Sequence, residues 1–117
     1  MRQTKVLVCG DRNWSNYGKV FHRLAQLPRD TIIVSGAAKG ADTHAEWAAE
    51  ELQMDCVIFP ADWDRFGRAA GPIRNRQMLD QKPDLVIAFH SDLSKSKGTA
   101  DTVREAKRRG IKVEVIA

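Results

Sequence analysis

No stretch of this 117-residue chain approaches the roughly 18 apolar residues that a membrane-spanning helix needs. The opening, MRQTKVLVCG, runs into a Val-rich segment rather than a charged-then-apolar leader, so a soluble, cytoplasmic domain without a membrane partner is expected. Cysteine is scarce: Cys9 and Cys56 stand far apart and neither belongs to a CxxC pair, which argues against a zinc ribbon or redox motif. Reduced thiols packed beside strands are expected instead. The chain also lacks HExxH, a Cys/His cluster and a paired acidic site, so the residues call for no metal and no cofactor. Missing too are the GxSxG nucleophile elbow, the GxGxxG of dinucleotide enzymes, and the GxxxxGK loop that continues into Ser or Thr. Without internal repeats, low-complexity tracts or linkers, residues 1–117 read as one domain. The net charge of +4 is mild and favours anionic partners without announcing nucleic acid.

What is present is a repeated alternation. Five short runs rich in Val and Ile (Lys5–Cys9, Thr31–Ser35, Cys56–Phe59, Asp84–Phe89 and Lys112–Ile116) are separated by segments with helical period. Tyr17, Val20, Phe21, Leu24 and Leu27 form one apolar stripe that Pro28 helps to end. From about Ala41 to Gln53 a helix puts Ala41, Ala45, Ala48, Ala49 and Leu52 on a face small enough to lie close to a sheet. Its outer side is acidic, with Glu46, Glu50 and Glu51. A third helix is predicted over Ile73–Asp80, after a break at Gly71-Pro72, and a fourth over Thr99–Arg109, with Gly110 suited to a left-handed cap.

This order, βαβαβαβαβ, implies an α/β, Rossmann-like three-layer sandwich with a five-stranded parallel sheet ordered 3-2-1-4-5. Ligands of such sheets sit outside the carboxyl ends of the strands at the switch point, here between strands 1 and 4. The loops CGDRNW, SGAAKGAD, FPADW and the polar stretch ending KGTAD are thereby gathered at one edge, and the segment Ser91–Gly98 reads as a mobile flap.

Each loop offers groups for an anion. The turn from Ser35, Gly36 and Ala37 to Gly40, Ala41 and Asp42 presents amides and a helix N-terminus to a phosphate; the same glycines also serve a tight turn. After Gly10, the Arg12 fork, Asn13 and the Trp14 ring could grip a phosphate and a base, although Trp14 could equally cover the helix below it. Pro60, Asp62 and Trp63 repeat this chemistry in the third loop, followed by Arg74 and Asn75. Gly98 and Thr99 open the last helix, with Asp101 expected in its first turn, where an acid also suits the helix dipole. His22 and His44 read as surface or packing residues; His90, ending strand 4, is the more interesting histidine. The basic run Arg104, Lys107, Arg108 and Arg109 is explained by the C-terminal end of its helix.

GDRNW, SGAAKGADTHAEWAA, FPADW, AGPIRNRQML and KGTAD together resemble the YspA-like branch of the SLOG superfamily over nearly the whole chain. That superfamily includes the LOG-type phosphoribohydrolases and the DNA-processing protein DprA. The resemblance implies a Rossmannoid domain that binds a nucleotide or nucleotide-derived, ADP-ribose-like ligand, as a sensor or processing domain in bacterial and phage conflict. It adds Met78, with Arg74 and Asn75, as the counterpart of the hydrolases' Arg element, and makes Arg74 and Asp101 the catalytic candidates. The departures are specific: Ser96-Lys97 replaces a double glycine, and Thr102 stands where the hydrolases carry their catalytic Glu. Asp101 lies one residue earlier, about 100° around a helix. N-glycosidic hydrolysis is therefore the alternative reading. A DprA-like binding of single-stranded DNA is the third, because the acidic face of the second helix argues against an extended nucleic-acid track. LOG-type hydrolases commonly dimerise, which leaves a homo-oligomer open.

Overall fold

Uninterrupted apolar strands are stable only where both faces of a sheet are covered. In the computed structural model, which describes residues 3–117, they form one five-stranded sheet. Its strands are β1 (Lys5–Gly10), β2 (Ile32–Ser35), β3 (Asp55–Ile58), β4 (Leu85–Phe89) and β5 (Lys112–Ile116). The order is β3-β2-β1-β4-β5 and every neighbouring pair is parallel, as the crossover argument requires. Gly10 pairs with Phe89, so β1 and β4 end level and their outgoing loops flank one crevice.

Alternation along β1 divides the core. Val6 and Val8 join Ile33, Ile87 and Phe89 beneath α1 (Tyr17–Leu24) and α2 (Ala41–Glu51). Leu7 and Cys9 join Val34, Val86 and Ala88 on the other face, beneath α4 (Ala70–Leu79) and α5 (Lys97–Arg108). Ala41, Ala45, Ala48 and Ala49 are fully buried, so the small-residue face of α2 meets the sheet as its sequence suggests. Among the described residues, no helix is long and apolar enough to cross a membrane.

Beyond shifts of a residue or two at strand ends, the third and fourth connections differ from the sequence reading. The Gly71-Pro72 pair does not break the third connection: it lies in the first turn of α4, where proline's missing N–H has no intrahelical partner to lose. A short helix, α3 (Trp63–Phe66), precedes it, capped by Asp62 accepting from the Arg65 amide at 3.1 Å. The supposed flap contains a 3-10 turn (Leu93–Lys95), and Ser96 starts α5 two residues early by accepting from the Thr99 amide at 3.2 Å. Asp101 accordingly lies in the second turn of α5, and no acid occupies the first. Gly110 ends α5 with a positive φ of 76°, as expected of a left-handed cap.

Candidate functional site

The carboxyl ends of β1 and β4 open into a cavity of about 400 Å³, a volume suited to a small ligand. Cys9, Gly10, Asp11, Arg12 and Asn13 form the wall that continues β1; His90 continues β4; Ala38 and Asp42 come from the start of α2. Trp63 borders it, Arg74, Asn75 and Met78 face it from α4, and Lys95 through Thr99, with Thr102, close it at the start of α5. Of the residues predicted to bind ligand, the cavity gathers Gly10, Arg12, Asn13, Asp42, Trp63, Arg74, Asn75, Met78, Gly98 and Thr99. Trp14, Ser35, Gly36, Ala37, Gly40, Ala41, Pro60, Asp62 and Asp101 lie outside its lining.

Most of those outside have structural work. Trp14 packs its ring 5.5 Å from that of Phe89 and donates its indole N–H to the Asn16 carbonyl, covering the sheet edge. Ser35 is fully buried, its hydroxyl 3.4 Å from the Asp42 carbonyl, and Ala41 donates its amide to the Asp11 carbonyl at 3.1 Å. Gly40 adopts φ 72°, and a Cβ there would collide with the Asp11 carbonyl oxygen and the Arg12 backbone. Asp62 is occupied with capping α3, and Pro60 is exposed beside it.

The glycine loop is a nest of amides, and its anion is the chain's own. Asp42 Oδ2 accepts from the Ala38 amide at 3.1 Å, the Gly36 amide also bonds this carboxylate, and the Arg74 guanidinium stands nearby. Burial outweighs these partners and pushes the Asp42 carboxyl up from 3.8 to about 6. Phosphate binding over Ser35, Gly36 and Gly40 would have to displace this carboxylate. Gly36 leaves room for the guanidinium: a Cβ would stand 2.5 Å from Arg74 Nη1, which donates to the Gly36 carbonyl at 2.5 Å. Cys9 also lies beside Asp42 in the cavity wall; burial, reinforced by Asp42, holds its thiol far above the usual range and therefore protonated.

At the opposite wall, the first amides of α5 have no intrahelical partner. Lys97 and Gly98 occupy that first turn and Lys95 precedes it, so cations and amides face the cavity together. The Gly98 carbonyl accepts from the Thr102 hydroxyl at 3.2 Å and from Asn75 Nδ2 at 3.4 Å. Asp101 points to α4 instead: it accepts from Asn75 Nδ2 at 3.2 Å and from Arg104 Nη2 at 3.1 Å, with Arg76 Nη1 at 3.6 Å.

His90 is buried, and its Nδ1 accepts the Asp92 amide at 2.9 Å. The neutral ring therefore carries its proton on Nε2, 4.0 Å from Asp11 Oδ2. Sequence reasoning marked His90 by its strand-end position but overlooked Asp11 inside GDRNW, and it assigned Lys95, Ser96 and Lys97 to a flap. Among the described residues, no group of three or more His, Cys, Asp or Glu side chains is placed to hold a metal ion.

Residues 4–66 match the family described as YspA, cpYpsA-related SLOG. The chain is 36% identical over 118 residues to the Gene 61 protein of Mycobacterium phage D29, an alignment covering 93% of each. In three dimensions it is similar to DNA processing protein A (DprA) from Streptococcus pneumoniae, with a TM-score of 0.59 and 21% identity. That superposition covers 95% of this chain and 58% of the DprA chain, so the domain spans little more than half of that protein. At such identity the likeness speaks for the shared Rossmann-like fold. The matched family and the phage relative, together with the sheet order and its crevice, place the chain in the YspA- and cpYpsA-related SLOG family.

Proposed function

We propose that this single domain binds a nucleotide or nucleotide-derived phosphate ligand of the ADP-ribose kind in the cavity at the β1/β4 switch, as a sensor or processing domain. The carrying observation is the wall at the start of α5, where Lys95, Lys97 and an acid-free helix N-terminus face the same space as Arg12 and Arg74. Helix amides and cations together favour a phosphate. Trp63, 58% exposed at the cavity border, offers a flat apolar face to a base. The phage relative supports a setting in bacterial and phage conflict. Calorimetric titration with AMP, ADP-ribose and inorganic phosphate tests the reading, with Lys95→Gln/Lys97→Gln expected to weaken binding about tenfold or more. No binding of any nucleotide by the parent protein would sink it.

N-glycosidic hydrolysis has one feature in its favour, the Asp42 carboxyl inside the cavity, which burial pushes up to about 6. In such a reaction water adds at the anomeric carbon as the base departs with a proton, and a positioned carboxyl assists the proton transfers. Chromatography of a nucleoside monophosphate incubated with the protein tests for it: free base is the required product. The single-stranded DNA reading rests on the fold shared with DprA alone.

A further inference from the structure

Asn75 is 5% exposed, and each end of its amide is engaged. Its Oδ1 accepts from Arg74 Nε at 3.0 Å; its Nδ2 donates to Asp101 Oδ2 at 3.2 Å and reaches the Gly98 carbonyl at 3.4 Å. Arg74 continues the chain by donating Nη1 to the Gly36 carbonyl. A string of polar contacts thus runs from α5 through α4 to the end of β2 along one side of the cavity. We infer that Asp101 is a positioning residue: it acts on the cavity at a distance, fixing the Asn75 amide and, through it, the Arg74 guanidinium.

The two orientations of an amide have the same shape, so only its partners choose between them. The Asp101 carboxylate and the Gly98 carbonyl offer acceptors alone, and both therefore demand the NH2 of Asn75. A flipped Asn75 would face oxygen with oxygen on that side and turn its NH2 against the Arg74 Nε–H. Asp101 is suited to the task because three donors converge on it, from Asn75, Arg76 and Arg104. A leucine there, close to aspartate in shape, offers no acceptor, so Asn75 would lose the partner that fixes its NH2. The geometry of this relay stands by itself; its consequence for affinity rests on the proposed nucleotide site.

Side-chain nitrogen-15 NMR tests the inference without a ligand. The Arg74 Nε–H resonance, assigned by its loss in Arg74→Lys, should exchange with water about tenfold faster in Asp101→Leu than in the parent, the loss expected when its acceptor turns away. Asn75→Leu, near in volume, should give the same acceleration, while Arg104→Ala should leave the resonance unchanged. Thermal midpoints within a few degrees of the parent separate this from general loosening. An Arg74 Nε–H that exchanges at the parent rate in Asp101→Leu would overturn the relay. With AMP as the probe, Asp101→Leu should bind several-fold more weakly, and should add nothing to the loss already caused by Arg74→Lys. Additive losses would count against the relay. Failure of the parent to bind any nucleotide would defeat the proposed function, and the NMR result would still decide the relay.

Discussion

Gly36 and Gly40 lie four residues apart in one loop, yet an added methyl meets different neighbours at each. At Gly36 it meets chiefly the far end of the flexible Arg74 side chain, with Asp42 Oδ2 at 3.1 Å, so Gly36→Ala should fold normally but free Arg74 from the Gly36 carbonyl. We predict nucleotide affinity about tenfold lower with stability changed by less than about 1 kcal/mol. At Gly40 the methyl meets the Asp11 and Arg12 backbone from a φ of 72°, so Gly40→Ala should cost about 2 kcal/mol or more. Urea denaturation and AMP calorimetry on both variants check the contrast; equal stability losses would refute it. Asp42 supplies a pH dependence with a definite sign. Between about pH 4 and 6 the folded state keeps a proton that the unfolded state has released, so this carboxyl lowers stability as pH rises through that window. The effect is on the order of 2–3 kcal/mol, and Asp42→Asn should remove it. Parallel stability curves for parent and variant between pH 4 and 7 would disprove the shift. The glycine spacing announced the nest of amides in the sequence, but the side chain that fills it was legible only in three dimensions, because Asp42 stands in the sequence as one more residue of the phosphate-binding turn.

Lys97 stands in the first turn of α5, at the end of the helix dipole where a cation is unfavourable. A stability-driven choice would place an acid there. Lys97→Glu should therefore raise stability by about 0.3–1 kcal/mol while weakening AMP binding, whereas Ser96→Ala should lower stability by about 1 kcal/mol through loss of the cap at Thr99. Chemical denaturation gives both signs. A Lys97→Glu protein that is less stable and binds AMP unchanged would remove the argument for this wall as an anion site. The strands and α2 were legible because their periodicity is enforced by burial. The starts of α4 and α5 were less so: Gly71-Pro72 carries the same letters as a break, and Ser96 among Ser and Lys neighbours does not advertise itself as a cap. That displacement moved Asp101 out of the first turn and with it the explanation of its charge.

Across the whole molecule, the sheet order was recoverable because right-handed crossovers leave few ways to join five parallel strands. The candidate site was legible to the extent that it follows from strand ends; which of the loop residues turn inward depends on side-chain partners such as the Trp14–Phe89 contact. A cavity of about 400 Å³ within a molecule 36 × 32 × 26 Å should admit one nucleotide rather than a strand. Affinity for oligodeoxynucleotides should accordingly gain little from two to twelve residues, and a steep, salt-sensitive rise with length, measured by fluorescence anisotropy, would favour the DNA reading. The thiol in the cavity wall has a practical consequence. Cys9 is 7% exposed within the cavity wall, and Cys56 is half-buried on β3, its thiol pushed up by burial to about 11. Neither is a ready nucleophile, so alkylation at Cys9 must wait for the wall to open, while Cys56 reports on reagent and pH alone. The native chain thus carries its own footprinting pair, and a ligand seated in the cavity should slow labelling of the first cysteine without altering the second.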